Sequence, residues 1–181
     1  MVFRTYGGRT IVSRRPLKSR VRPSREQREQ RNRFRSATAY AKSIVLDPVK
    51  SAFYARLAAA EKMRVFALAI RDFFRPPSVD EIDLTGYRGR VGDVIGVFAS
   101  DDSGVARVEV QIKDMAGRIV ESGSARLATA DWVYPVRVNA PAGYPLMIVA
   151  TAYDHPGNIG TKDVPWVPLR FVSPSKSTVR T

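Results

Sequence analysis

Arg28, Arg31, Arg35 and Lys42 recur at spacings of three, four and seven residues, so on a helix their side chains leave from one stripe. Arg25 stands one turn earlier. The stretch "SREQREQRNRFRSATAY" (24–40) sets five arginines against two glutamates. A guanidinium group binds phosphate bidentately and stacks on planar rings, which an ammonium group does not. Residues 1–46 carry eleven arginines and two lysines. The chemistry this pattern suits is neutralisation of phosphates, in nucleic acid or another polyanion. Arg4, Arg9, Arg14, Arg15, Lys18, Arg20 and Arg22 precede the stripe and extend the same character towards the N-terminus.

The plainer account is a solvated basic face, or one that docks on an acidic protein partner. Against it stands the helix dipole: cations crowded at a helix N-terminus cost about several tenths of a kcal/mol each at low salt. A stretch tuned for helix stability alone would place acids there. Glu26 and Glu29 do so in part, and Glu29 to Arg33 has the favourable i, i+4 spacing. No helix-turn-helix glycine turn, zinc-ligand spacing or RNA-recognition aromatic motif is visible, so base-specific readout has no support.

Other chemistry is thinly represented. The chain lacks cysteine, which excludes a disulfide framework, a thiol nucleophile and any Cys-containing zinc site. His155 is the only histidine and adjoins Pro156 in an expected turn. It can head no Cys–His dyad, and no nucleophile-elbow motif supports a Ser-His-Asp triad. Trp132 and Tyr134 alternate along an expected strand and, with Trp166, read as core or rim residues, with an aromatic ligand patch as the alternative. The expectation is a non-enzymatic protein without a cofactor.

Charge is segregated along the 181 residues. Residues 1–46 hold thirteen Lys and Arg against two acids, residues 47–78 six against three, and residues 79–172 nine against twelve. Nearly all of the net charge of +13 therefore falls in the first 78 residues, and such asymmetry points to a polyanionic partner for one part of the chain. "MVFRTYGGRTIVSRRP" has no apolar run or small-residue cleavage site of a secretory signal. "VFALAI" (65–70) is far short of the roughly 20 residues of a membrane span. A soluble, cytoplasmic protein is expected, with its oligomeric state open.

Four segments position these residues. Residues 1–23 mix Gly7, Gly8, Pro16 and Pro23 with "RTIVS" and read as an extended basic arm with a strand or hairpin at 9–13. Residues 24–78 read as helical. Ser24 with Gln27 forms a capping box before a helix over 25–46, whose apolar positions are Phe34, Ala37, Ala41 and Ile44. Asp47 and Pro48 start a second helix that runs to Arg75-Pro76-Pro77. Whether 48–74 is one helix or two stays open, because "AAAEK" (58–62) holds no Gly or Pro. From residue 82 the period becomes two. "VARVEVQIK" (105–113) alternates as a half-buried strand, "DMAG" turns the chain into "RIVESG", and further strands are expected at 93–99, 132–138, 146–153 and 161–171. Residues 173–181 read as a flexible tail.

"GDVIGVFASDDSGVARVEVQIKDMAGRIVESG", then "DWVYPV" and "IVATAYDHPGNIG", resemble bacterial immunoglobulin-like and fibronectin type III-like domains over about residues 82–172. The resemblance rests on an Asp/Gly loop before an alternating strand and on a late Ala-x-Asp-x-x-Gly-Asn. It implies a two-sheet sandwich serving as a binding, spacer or assembly module. The fold class expected is thus α+β: a basic arm, two or three helices, and an immunoglobulin-like β-sandwich over 79–172. The layout also resembles small bacterial proteins with a basic start, an arginine-rich helix and a β-rich C-terminus.

In an immunoglobulin-like topology Asp101, Asp102, Asp131 and Asp154 with Asn158 would lie in loops at one end, where their oxygens could hold calcium. Turn geometry explains the same residues more simply. The expected function is phosphate neutralisation by the arm and first helix, with a structural or assembly subunit, such as a virion or appendage component, as the alternative.

Overall fold

The computed structural model describes residues 1–13, 22–129 and 131–168. They divide into two compact units, Met1–Ser36 and the chain from Ala37 onward. The first unit holds a hairpin of β1 (Val2–Tyr6) and β2 (Arg9–Ser13), with Phe3 opposite Val12 and Arg4 opposite Ile11. Gly7 and Gly8 both have positive φ, 53° and 78°, as a two-residue primed turn requires. Of the strand or hairpin expected at 9–13, the structure makes 9–13 the second strand of a hairpin that begins at Val2.

Helix α1 (Arg25–Leu46) begins where the capping box places it. Gln27 N–H donates to Ser24 Oγ and Ser24 N–H to Gln27 Oε1, each at 3.2 Å. The division between the units falls within this helix.

In the second unit, α2 (Pro48–Ala60) is capped by Asp47, whose Oδ1 accepts from Val49 N–H and Lys50 N–H at 3.0 and 3.1 Å. The open question over 48–74 resolves as two helices, α2 and α3 (Val65–Phe74). Lys62 adopts φ 54°. Met63 N–H then reaches Ala58 O at 2.9 Å and Lys62 N–H reaches Ala59 O at 3.3 Å. This is a Schellman stop made without glycine. Ala41 and Ile44 of α1, Tyr54 and Ala58 of α2, and Leu68 and Ala69 of α3 form one buried helical core. Phe34, expected with them, is 53% exposed.

Two four-stranded antiparallel sheets follow. One has the order β10 (Ile159–Trp166), β9 (Leu146–Tyr153), β5 (Arg107–Asp114), β6 (Ile119–Ser124). The other runs β3 (Ser78–Asp83), β4 (Val94–Ser100), β8 (Trp132–Pro135), β7 (Arg126–Leu127). Inward side chains from both, among them Ile95, Val97, Val108, Val110, Ile112, Tyr134, Leu146 and Ile148, make a second buried core. The chain is therefore α+β with a sandwich-like arrangement, as its periodicities predict.

Three boundaries differ from the sequence reading. Strand β3 begins at Ser78; a bulge between Val79 and Glu81 puts the buried Val79 and Ile82 three residues apart and hides its period of two. Strand β8 ends at Pro135; Val136 N–H still reaches Asp93 O at 2.9 Å, and the carboxylate of Glu121 takes the two amides after it, Arg137 N–H at 2.8 Å and Val138 N–H at 3.1 Å. Strand β10 ends at Trp166; residues 169–171 and the expected tail 173–181 lie outside the described residues.

Both sides of the sandwich are closed. A single residue, Ala125, carries the chain from β6 to β7 and so from one sheet to the other. On the opposite side β10 lies against β3, and Lys162 Nζ donates to Asp80 O. The half-buried Lys162 and Pro165 on that outer strand are features that discourage edge-to-edge pairing.

Candidate nucleic-acid interface

Helix α1 carries the arginine stripe. Arg22, Arg25, Arg28, Arg31, Arg35 and Lys42 are all exposed. Only Arg25 of these has a carboxylate partner among the described residues: its Nε lies 2.8 Å from Glu29 Oε1. Glu29 thus pairs with the preceding turn. Glu26 sits below the ordinary carboxylate range because the Ser24 hydroxyl and its own backbone N–H favour the charged form. The two acids of the first turns serve the helix N-terminus, which leaves Arg28, Arg31, Arg35 and Lys42 without an ion pair among the described residues. Arg28 to Arg35 covers about 10 Å of helix axis. Arg14, Arg15, Lys18 and Arg20 lie outside the described residues.

The acidic loops 101–104 and 154–158 lie at one end of the sandwich, and each carboxylate there has partners within the chain. Asp101 Oδ2 accepts from Ser103 N–H at 2.9 Å, closing its own turn. Asp102 faces two guanidinium groups, Arg75 Nη1 at 2.5 Å and Arg71 Nε at 3.7 Å. Asp154 Oδ1 accepts from Gly157 N–H and Asn158 N–H at 2.7 and 2.6 Å, and its Oδ2 from Asn158 Nδ2 at 2.7 Å. Asp131 contributes its carbonyl to Ala128 N–H at 2.7 Å. Among the described residues no group of three acids or histidines could hold a metal ion. At Asp101, Asp102 and Asp154 the carboxylates are instead engaged within the chain, by Ser103 N–H, by Arg75 and by the 157–158 amides.

The same end holds a joint that the sequence reading missed. Asn158 Nδ2 donates to Phe73 O at 3.2 Å, meeting one of the carbonyls left over at the end of α3. Arg71 of α3 forks onto Glu61. Beneath them Tyr40, Tyr54 and Asp72 form a chain: Tyr40 and Tyr54 hydroxyls are 2.8 Å apart, and Tyr54 donates to Asp72 Oδ2. Asp72 is fully buried, and burial pushes its carboxyl above the ordinary range. Burial also raises the Tyr40 hydroxyl to about 12 and the Tyr54 hydroxyl further. The signal available in the sequence was a lone Asp72 within the apolar run "VFALAIRDFF".

His155 is exposed, with its ring 4.6 Å from that of Phe53 on α2. It forms no hydrogen bond with Ser103 or Asp72 among the described residues, so no Ser-His-Asp arrangement is assembled here. Trp132 and Tyr134 are buried core residues, and Trp166 packs on Tyr87 with ring centroids 4.8 Å apart.

No family model matches the chain, and no curated protein does. Among solved structures, CopC from Methylosinus trichosporium OB3b aligns at 11% identity over 51% of this chain and 92% of its own, with a TM-score of 0.38. A Bifidobacterium dentium beta-glucuronidase complexed with coumarin-3-O-glucuronide aligns at 19% identity over 51% of this chain and 17% of its own, TM-score 0.35. A tetra-tandem repeat from the extending region of a large adhesion protein aligns at 22% identity over 52% of this chain and 24% of its own, TM-score 0.35. Nothing about activity or partner follows from likeness at this level.

Proposed function

We propose that the protein is a non-enzymatic polyanion-binding protein, with nucleic acid as its ligand, acting through guanidinium–phosphate contacts of α1 and the basic segment before it. The observation that carries this reading is the stripe of Arg28, Arg31 and Arg35: exposed, on successive turns of one helix, and without a carboxylate partner among the described residues. Such contacts neutralise phosphates without reading bases. The sandwich serves as the rigid body. Its strand orders, β3-β4-β8-β7 and β10-β9-β5-β6, correspond to the A-B-E-D and G-F-C-C′ sheets of an immunoglobulin-like domain, which supports that finer reading of the fold.

A gel-shift titration at several salt concentrations tests the proposal. With about six phosphates engaged, log affinity falls against log salt with a slope near −5 on duplex DNA. The triple variant R28A/R31A/R35A should flatten that slope by about 3. An unchanged slope and affinity would remove the arginines from the interface.

A second reading, an assembly subunit, has one specific observation behind it. Phe3 and Val12 face each other across β1 and β2 and are 67% and 53% exposed, and a two-stranded hairpin is marginal by itself. If neighbours cover this face, F3S/V12S converts an oligomer to monomer in sedimentation. A monomeric parent chain would dismiss this reading.

A further inference from the structure

The loops 101–104 and 154–158 meet the end of α3 and the flank of α2, so function borne on loops is displaced to the opposite end of the sandwich. There the segments 86–93 and 136–143 are laced together. Ala140 N–H donates to Gly89 O at 2.8 Å, Val91 N–H to Asn139 Oδ1 at 2.9 Å, Gly92 N–H to Val136 O at 2.9 Å and Val136 N–H to Asp93 O at 2.9 Å. Asp93 Oδ2 accepts from Arg88 N–H at 2.7 Å and Arg90 N–H at 2.8 Å. Between these segments runs a groove of about 580 Å³ lined by Arg88, Arg90, Asn139 and Trp166. That volume lies within the range of small-molecule sites.

The indole of Trp166 is held in place. Its ring lies against Gly89, where an added Cβ would come within 2.8 Å of it, and Tyr87 packs on it from beneath the loop. Asn139 Oδ1 and Asp93 Oδ2 accept from backbone amides of the loop. The charged side chains that line the groove are the exposed guanidinium groups of Arg88 and Arg90, neither ion-paired among the described residues, and the Asn139 amide adds a donor. A sugar presents hydroxyls that need acceptors as well as donors. A donor-rich groove beside a fixed indole instead matches a ligand that is planar at one end and anionic at the other.

We propose that this groove binds a nucleotide unit of a single strand, with the base on Trp166 and the phosphate between Arg88 and Arg90. It rests on the polyanion reading above for its biological setting, and it adds base stacking at a site that the α1 stripe does not include. Stacking on an aromatic side chain is sequence-tolerant and gives preference for single strands over a polyanion without bases.

The experiment compares an octathymidylate and heparin, measured by anisotropy with the full chain, in wild type, R88A/R90A and R28A/R31A/R35A. R88A/R90A should weaken octathymidylate about tenfold and heparin less than twofold, whereas R28A/R31A/R35A weakens both. Thymidine 5′-monophosphate should quench wild-type tryptophan fluorescence and compete with octathymidylate but not with heparin, a readout that needs no variant. Equal loss of both polymers in R88A/R90A, or quenching by maltohexaose and not by the nucleotide, would overturn the site. Failure of R28A/R31A/R35A to weaken either polymer would overturn the α1 reading alone.

Discussion

Asn158 Nδ2 donates to the backbone carbonyl of Phe73 at 3.2 Å, a bond between residues 85 apart in sequence that fastens the sandwich loop 154–158 to the C-terminus of α3. The loop is pre-set for the task, because Asp154 holds both its backbone and the Asn158 amide. A motif that looks like a solvent turn in the sequence thus acts as a bracket. At the same end of the sandwich Asp102 faces Arg71 and Arg75.

Asn158→Ala should destabilise the protein by about 1–3 kcal/mol, since it strips a donor from the Phe73 carbonyl and from the Asp154 carboxylate in a part-buried setting. Urea unfolding followed by both far-UV circular dichroism and tryptophan fluorescence reads it. The helical signal should be lost at lower urea than the fluorescence of the sandwich. Coincident transitions at the wild-type midpoint would show that the bracket contributes nothing.

Lys62→Gly should stabilise the protein. Lys62 is exposed and sits at φ 54° in the Schellman stop of α2, where a side chain costs about 1 kcal/mol and glycine costs little. A rise in Tm of about 1–4 °C is expected. Lys62→Ala keeps the Cβ and should gain nothing, so a similar rise in both variants would point to charge rather than backbone conformation.

Patterns confined to one element were legible. The capping box of Ser24 and Gln27, the Asp47-Pro48 start and the alternation of β5 all depend on residues a few positions apart, and the structure places each where its spacing predicts. What escaped was set by tertiary partners. The α2 stop uses a lysine where glycine is the usual sign. Strand β3 has its period broken by a bulge, and two amides just past β8 go to a carboxylate from β6. Asp72 reads as one more acid in a helix until Tyr54, from a different helix, is found on it. The groove beside Trp166 is likewise invisible in sequence, because its walls come from segments some 50 residues apart.

Gly160→Ala should cost about 2–4 kcal/mol. A Cβ there would lie 2.0 Å from Pro77 O and 2.8 Å from Pro77 C. Both are backbone atoms that cannot rotate aside, so β10 must move off β3. The neighbouring Thr161→Ala, at an exposed position, should change stability by less than about 0.5 kcal/mol. Comparable losses in the two variants, measured by urea titration, would mean that the approach to Pro77 does not constrain the edge.

Asp72→Asn should make the protein more stable at neutral pH. The carboxyl is fully buried, Tyr54 serves only its Oδ2, and neither its Oδ1 nor Ser103 Oγ has a hydrogen-bond partner among the described residues. Burial first, then the charge of Asp154, raises its affinity for a proton, against the opposing effects of Ser103, Tyr54 and His155. The native state therefore binds this proton more tightly than the unfolded chain. The contribution of Asp72 is complete below the ordinary aspartate value of 3.8 and is lost as pH rises through the raised native value. Asp101 titrates in the same sense, and Glu61, Asp80, Asp83 and Asp114, all held below the ordinary range, in the opposite one. Asparagine keeps an acceptor for Tyr54, offers a donor to Ser103 and never ionises. Its advantage should be about 1 kcal/mol at pH 7 and should shrink to nothing towards about pH 4. Urea titrations of both proteins at pH 4, 5, 6 and 7 measure it, and an advantage that grows as the pH falls would contradict a buried, proton-holding Asp72.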